Sequence, residues 1–501
     1  MHVSVKDFLK ILVFNGNHYI GIVQSAKVLW DPLRSKQLVQ MYQLLFSLIF
    51  PDRCFLSHRK LDTLFILWYR TLMDKNILLN IITDQRDDFF SKKKLILRDI
   101  NYSTYIRTGQ IVVITGARRC GKSSLLWLLH HSMEIKQENS VYFNGDDERL
   151  QNFSAIDFSQ ILELHQSMFN TKNEKERIYF FDEIQYLHGW EKFLTRLYEK
   201  GNKIFVTGSS ANLLSSEIAS SLTGRYMELS LNPFTFSEYL RFIDEEPKNN
   251  FFTTIEKGSM IAHWKNYFNM GGFPLVHKEK NINILQEYYQ AILYKDIVAR
   301  YKINQIEELK KIGLYLFSNT AKLFSYKTLQ NISGLGSLST VKRFLEYWEN
   351  AFIFFYVKKY DFSLKKQLLN SRKVYAIDTG LIRQIGFHFS EDRGRLLENQ
   401  IFNYLKRGNS DIYYHREKHE CDFLIVEKGK VIKAIQVTVS LHNPSTRKRE
   451  LLGLEEAMRC YGLTDGYIIT ENEEEIVEES IGTINIIPAW KWLLRKDEEG
   501  S

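Results

Sequence analysis

Eight consecutive residues, Gly116-Ala117-Arg118-Arg119-Cys120-Gly121-Lys122-Ser123, carry the spacing G-x-x-x-x-G-K-[ST]. That spacing suits phosphate chemistry. Glycines let successive backbone N–H groups turn toward phosphate oxygens, and a helix N-terminus directly behind them adds positive potential. Lys122 is placed to reach the β- and γ-phosphates of a nucleotide, and Ser123 offers a hydroxyl to Mg2+. The nucleotide-binding candidates of this stretch are Gly116, Arg119, Cys120, Gly121, Lys122, Ser123 and Ser124. Sixty residues on, four apolar residues end in Asp182-Glu183. Asp182 is the metal candidate, directly or through water, and Glu183 the general base that polarises an attacking water.

The elements around these residues have the order that the chemistry requires. Residues 110–115 read as a buried strand, and Ser123 to His131, free of Gly and Pro, as a helix. Ser140–Asn144, Ile178–Phe181, Lys203–Val206 and Tyr226–Leu231 read as further strands. The Lys203–Val206 strand runs into Thr207-Gly208-Ser209-Ser210. Thr207 or Ser209 is the candidate to contact the γ-phosphate or the lytic water, against a plain Gly-Ser turn. Arg225, just before the last strand, reads equally as an arginine finger or sensor and as a surface residue in an ion pair.

The whole chain sets wide bounds. Its 501 residues suit about three domains. With 44% hydrophobic and 25% charged residues the composition is that of an ordinary soluble globular protein. A formal net charge of +8 permits a nucleic-acid partner without demanding one. The cysteines Cys54, Cys120, Cys421 and Cys460 are scattered, which argues against a disulfide framework or zinc ribbon and fits a reducing compartment. Cys120 inside the loop is a thiol-reagent target or a filler, and the filler role is preferred. The longest mostly apolar stretch, Leu44–Phe50, is far shorter than the roughly 20 residues that cross a bilayer. A cytoplasmic protein with no membrane partner is expected.

At this point a resemblance emerges. GARRCGKSS, DEIQ, VTGSSANLLSSE, LTGRYMEL and above all Asn232-Pro233-Phe234-Thr235-Phe236-Ser237-Glu238-Tyr239 resemble a group of bacterial and archaeal AAA-like P-loop ATPases. Gly271-Gly272-Phe273-Pro274 and Tyr294-Lys295-Asp296-Ile297 extend the resemblance over about residues 80–480. Members of that group end in a restriction-endonuclease-like domain of unknown function. The resemblance implies an α/β fold: a P-loop NTPase parallel sheet with a helical lid, a winged-helix domain and a C-terminal α/β nuclease-like domain. It implies ATP and Mg2+ as cofactors, with the nucleotide at the carboxyl ends of the strands.

The domain division follows. Residues 1–78 are an N-terminal extension, read as helical, without a motif. Residues 79–232 are the ATPase core, 233–303 the helical lid, 304–385 a winged-helix-like domain, 386–490 the nuclease-like domain and 491–501 a tail. In the winged segment Ser339 is expected to cap the second helix, whose Lys342 and Arg343 stand where DNA phosphates are met. A rigid spacer or contact module is preferred there over DNA binding. In the nuclease-like domain, Glu398, Asp422, Gln436 and Thr438 fall at the places of the acid, Asp, acid and Lys of a PD-(D/E)XK site. Gln436 replaces an acid and Thr438 the Lys, and losing a charged group of that kind costs about two to three orders of magnitude in rate. Lys433 or Lys418 is the substitute that the sequence offers. The acidic run Glu471–Glu479 reads as a solvated helix or loop face. ATP hydrolysis that moves or gates the C-terminal domains is the leading function. A nucleotide-gated DNA-binding protein or nuclease, or a slow switch that binds a protein partner, are the alternatives. Oligomerisation stays open, since Arg225 can act within a chain or across subunits.

Overall fold

The computed structural model describes residues 73–91, 95–169, 177–208, 222–247, 252–387, 393–408 and 410–495. The N-terminal extension through residue 72, together with Ser209 and the tail beyond 495, lies outside them.

Five short strands form the first sheet: β1 Ile111–Thr115, β2 Ser140–Asn144, β3 Ile178–Asp182, β4 Lys203–Thr207 and β5 Tyr226–Ser230. Their order is β2-β3-β4-β1-β5, and every neighbouring pair is parallel. Both faces must therefore be covered, which is why β1 is buried at all five positions and reads as an unbroken β-branched run. Side chains alternate across the sheet. Ile111 and Val113 join one core with α1 (Lys75–Phe90), α3 (Asp157–Phe169) and α4 (Trp190–Glu199). Val112 and Ile114 join the other with α2 (Lys122–Ser132).

A helical segment follows, with α5 Phe236–Phe242, α6 Thr254–Met270, and α7 Ile284–Ala291 continuing into a π-helical stretch over Ile292–Ala299. Capping boxes start α5 and α6: Thr235 with Glu238, and Thr253 with Glu256.

Next come α8 Ile306–Ser318, β6 Leu323–Phe324, α9 Tyr326–Ser333, α10 Leu338–Asn350, β7 Phe354–Lys359 and β8 Arg372–Ala376. The cap of α10 is Ser337, whose hydroxyl accepts from the Thr340 amide, not Ser339. Extended backbone at Ser337 (φ −140°, ψ 146°) lets the helix begin one turn position earlier than its β-branched Thr340 suggests. After α11 Thr379–Ile385 and α12 Arg393–Leu405, the chain adds β9 Asp411–Arg416, β10 Glu420–Glu427, β11 Lys430–Val437, α13 Pro444–Tyr461, β12 Asp465–Thr470, β13 Glu475–Glu479 and β14 Gly482–Pro488.

The nine strands β6–β14 make one sheet, in the order β13-β14-β12-β11-β10-β9-β7-β8-β6. A boundary at 385–386 thus falls inside a continuous ladder, because β7 and β9 pair in parallel through Lys358–Tyr413 and Lys359–Tyr414. The acidic run divides: residues 471–474 are the loop between β12 and β13, while Glu475–Glu479 is the edge strand β13, its charges suited to a strand that must not pair further. Among the described residues no helix is long and apolar enough to cross a membrane.

One apolar core joins the helical segment to this second sheet. It runs from Phe236 and Trp264 through Trp348 and Phe354 to Phe423 and Trp490. Trp264 is fully buried and its indole N–H donates to Gln400 Oε1 on α12 at 2.9 Å, across 136 residues of chain. Trp264→Ala is expected to destabilise this unit by about 3–5 kcal/mol, the usual cost of emptying a large aromatic site. Denaturant unfolding followed by far-UV circular dichroism checks it.

Candidate functional site

The phosphate loop begins where β1 ends, and its shape admits only glycine at the first position. Gly116 has φ +142°, and a Cβ there would stand 2.1 Å from the Leu231 carbonyl oxygen. Gly121, at φ +104°, turns the chain into α2. Lys122, the first residue of α2, is 4% exposed. Its ammonium donates to the Gly116 and Ala117 carbonyls at 3.1 and 3.2 Å, and lies 3.7 Å from Glu183 Oε1. Ser123 and Ser124 occupy the first turn of the same helix, and Arg119 takes a left-handed φ of 70° in the loop.

The back of the loop is braced by a residue with no motif of its own. Arg98 donates to the Cys120 carbonyl at 3.1 Å and to the Asn232 carbonyl at 2.6 Å, and pairs with Glu238 at 3.0 Å. Glu238 also accepts from the amides of Asp99 and Thr235 at 2.7 and 2.8 Å. The Asn232–Tyr239 phrase is therefore tied to the loop through a buried ion pair. Cys120 is buried in the apolar core, and that burial pushes its thiol up. It fills space and is poorly placed for thiolate chemistry.

The acids arrive from the neighbouring strands. β3 and β4 pair with Phe181 opposite Val206, so the residues that end the two strands, Asp182 and Thr207, sit side by side. The Thr207 hydroxyl donates to Asp182 Oδ1 and accepts from the Glu183 amide at 2.9 Å. Tyr142 on β2 donates to the other Asp182 oxygen at 3.1 Å. Glu183 itself is left-handed (φ 46°, ψ 45°) and accepts from Gln185 Nε2. Non-glycine residues at positive φ are uncommon and cluster at functional sites. Lys122, Asp182, Glu183 and Thr207 thus meet at the carboxyl ends of β1, β3 and β4. Buried Asp182 and hydroxyl-bearing Ser123 are hard oxygen donors of the kind that Mg2+ takes beside phosphate oxygens.

Arg225 lies apart from these residues and takes the ion-pair reading. It sits at the amino end of β5, where its carbonyl accepts from the Ile111 amide at 2.9 Å, while the phosphate loop leaves the carboxyl end of β1. Its guanidinium, 39% exposed, pairs with Glu199 at 3.5 Å. Parallel pairing puts the full length of the sheet between Arg225 and the loop of its own chain, which rules out a finger acting within one chain.

A second polar cluster lies in the nine-stranded sheet. Glu398 on α12, Asp422 on β10 and Gln436 on β11 come together, and the Gln436 side-chain oxygen accepts from the Asp422 amide at 3.1 Å. Thr438, just past β11, donates its amide to the Ile469 carbonyl at 3.0 Å. The cation at this cluster is neither Lys433 nor Lys418 but Lys373, on β8. Its buried ammonium lies 3.0 Å from Glu398, 2.8 Å from Asp422 and 2.8 Å from Glu420. Burial alone would lower the ammonium; the facing Asp422 and Glu398 carboxylates outweigh it and hold it well above its ordinary value. Burial and the nearby Asp422 charge push the Glu398 carboxyl up from its ordinary value, against the pull of Lys373. Gln436 also donates to the buried Glu450 of α13. Among the described residues no group of three or more His, Cys, Asp or Glu side chains is spaced to hold a metal ion.

Comparison with known proteins adds the following. Residues 108–240 match the AAA domain model, and residues 261–391 match a domain of unknown function, DUF8612. The chain is 34% identical over 448 residues to uncharacterized protein MJ1544 of Methanocaldococcus jannaschii, covering 86% of this chain and 98% of that protein. It is 29% identical to an uncharacterized Haemophilus influenzae protein, covering 77% and 95% of the two chains. Among solved structures, AMPPCP-bound DnaA from Aquifex aeolicus matches 49% of this chain and 85% of its own at 16% identity and a TM-score of 0.21. The Aeropyrum pernix ORC1 protein in complex with DNA matches 63% and 92% at 10% identity and 0.25. Scores of that size do not superimpose one domain arrangement on the other.

Lys373→Met leaves the Glu398 and Asp422 carboxylates buried without their counter-ion, which costs about 3–5 kcal/mol. Thermal unfolding of the variant is expected to show that loss, and adding Glu398→Gln is expected to recover part of it.

Proposed function

The chain belongs to the family of uncharacterized protein MJ1544 of Methanocaldococcus jannaschii, and on that premise we propose that it is a Mg2+-dependent ATPase whose nucleotide cycle gates its C-terminal half. The observation that carries this reading is the meeting of Lys122, Glu183, Asp182 and Thr207 beside the phosphate loop. ATP lies with its phosphates in the loop, held by the backbone amides after Gly116 and by the α2 N-terminus. Lys122 exchanges its carbonyl partners for the β- and γ-phosphate oxygens. Ser123 and Asp182 would hold Mg2+, and the ion would draw charge from the phosphates. Glu183, kept in place by the hydrogen bond its backbone amide donates to the Thr207 hydroxyl and by the one its carboxylate accepts from Gln185, orients the attacking water and takes up its proton.

Residues 233–303 serve as the lid. The order of α8, β6, α9, α10, β7 and β8 supports a winged-helix module over 304–385, and the Glu398, Asp422 and Gln436 arrangement supports a nuclease-like fold beyond it. The enclosure of Lys373 by three carboxylates favours a structural use of that site over cleavage. Lys342 stacks over Tyr326 at 5.2 Å and Arg343 reaches Thr340 at 3.4 Å, contacts that favour a spacer over a DNA-reading surface.

Lys122→Ala is expected to lower ATP hydrolysis by about two orders of magnitude or more while leaving the far-UV circular dichroism unchanged. Phosphate release at the wild-type rate contradicts the assignment. In the same assay, single- and double-stranded DNA incubated with the wild-type chain and Mg2+ or Mn2+ is expected to stay intact.

A further inference from the structure

Arg118 is a phosphate-loop residue that bonds outside the loop. Its Nε donates to Asp296 Oδ2 at 2.9 Å and its Nη2 to Asp296 Oδ1 at 2.7 Å, a side-on bidentate pair between residues 178 apart. The Asp296 side chain is 5% exposed. The pair is desolvated and two-pronged, a geometry that lysine cannot reproduce. The same Nη2 donates to the Tyr186 hydroxyl at 3.3 Å. Tyr186 ends the short turn Ile184–Tyr186 that follows Glu183 directly. One guanidinium therefore ties the loop to two other elements, the turn that follows the proposed base and the lid.

The lid end of this contact is unusual in its backbone. Asp296 lies in the eight-residue π-helical stretch Ile292–Ala299. Such stretches are rare and are found mostly where function needs a side chain re-aimed. Around it the two sides interlock. Ala117, the loop residue before Arg118, packs in the apolar core that contains Phe236, Tyr239 and Tyr288. Ile292, Leu293 and Ile297 of the π stretch belong to the same core as Trp348, Phe354 and Phe423 of the second sheet.

Resting on the nucleotide reading above, we propose that Arg118 and Asp296 are a positioning pair that couples occupancy of the phosphate loop to the lid. Nucleotide phosphates compete with the Asp296 carboxylate for the Arg118 guanidinium, and the carboxylate repels them. When the guanidinium turns to phosphate, the π stretch loses its anchor and repacks. Because that stretch is part of a close-packed core shared with the second sheet, the change is carried to the C-terminal half. A ligand shifts such an equilibrium only by its differential affinity for the two arrangements, and this ion pair supplies the difference.

The test uses the intact chain and a non-hydrolysable ATP analogue with Mg2+, reading affinity by calorimetry and amide exchange over residues 284–299. In the wild type, the analogue is expected to change exchange across that stretch. Asp296→Asn is expected to bind the analogue about fivefold tighter or more, the lower end of usual coupling energies, with exchange that no longer responds. Arg118→Lys keeps the charge but not the fork, and is expected to lose the response as well. Asp296→Asn with affinity within twofold of wild type and an intact exchange response overturns the pair's role. Should Asp296→Asn fail to fold, Arg118→Lys decides alone, and a wild-type response in it overturns the proposal. A wild-type chain that binds no analogue overturns the nucleotide site itself, and the coupling with it. Wild-type binding with unaltered variants overturns the coupling only.

Discussion

The Thr207 hydroxyl, donating to Asp182 and accepting from the Glu183 amide, is the contact on which the geometry of the nucleotide site rests. A buried carboxylate is tolerated only when its oxygens are hydrogen-bonded, and Asp182 is satisfied from both neighbouring strands, by Tyr142 on one side and Thr207 on the other. The same hydroxyl holds the Glu183 amide and so helps to keep that residue in a left-handed conformation that an unconstrained glutamate would avoid. This contact exists because β4 lies between β3 and β1. The inserted strand carries Thr207 to the level of the acids, and the sheet then presents loop and acids at one edge, with Lys122 3.7 Å from Glu183.

What the sequence made legible is what local backbone chemistry demands. Gly116 and Gly121 must be glycines at that spacing, and Asp182 and Glu183 must follow an apolar strand, so both stand out in the linear text. The strands of the first sheet are legible for the same reason, since burial on both faces leaves unbroken apolar runs. Side chains that act across long chain separations leave no such trace. Arg98 reaches Cys120 and Asn232, Lys373 reaches Glu398 and Asp422, and Arg118 reaches Asp296. Each is a single charged residue with nothing periodic around it. For Arg225 the sequence left two readings open for a different reason: whether the start of a strand lies near a loop depends on strand direction, which the sequence states only through the parallel topology. The acidic strand β13 was hidden because its edge position exposes most of its length and erases the alternation that marks a half-buried strand.

The C-terminal half is held by a buried charge cluster drawn from separate segments of the chain. A lysine ammonium from β8 stands among the Glu398 and Asp422 carboxyl groups. Lys373 lies on β8 and Asp422 on β10. The ion cluster therefore stitches the two together where β7 and β9 also pair. With Trp264 bonded to Gln400 and one apolar core running through both, the helical segment and the second sheet form a single body able to respond as a unit.

Phosphate release by the Glu183→Gln chain, measured beside its ATP affinity, tests the central claim most directly. With Glu183 as the base and Lys122 with the loop as the binding element, the variant binds ATP with Mg2+ at close to wild-type affinity and releases phosphate at least about a hundredfold more slowly. Phosphate release within a few-fold of wild type would contradict the account, and so would a chain, wild type or variant, that does not bind ATP.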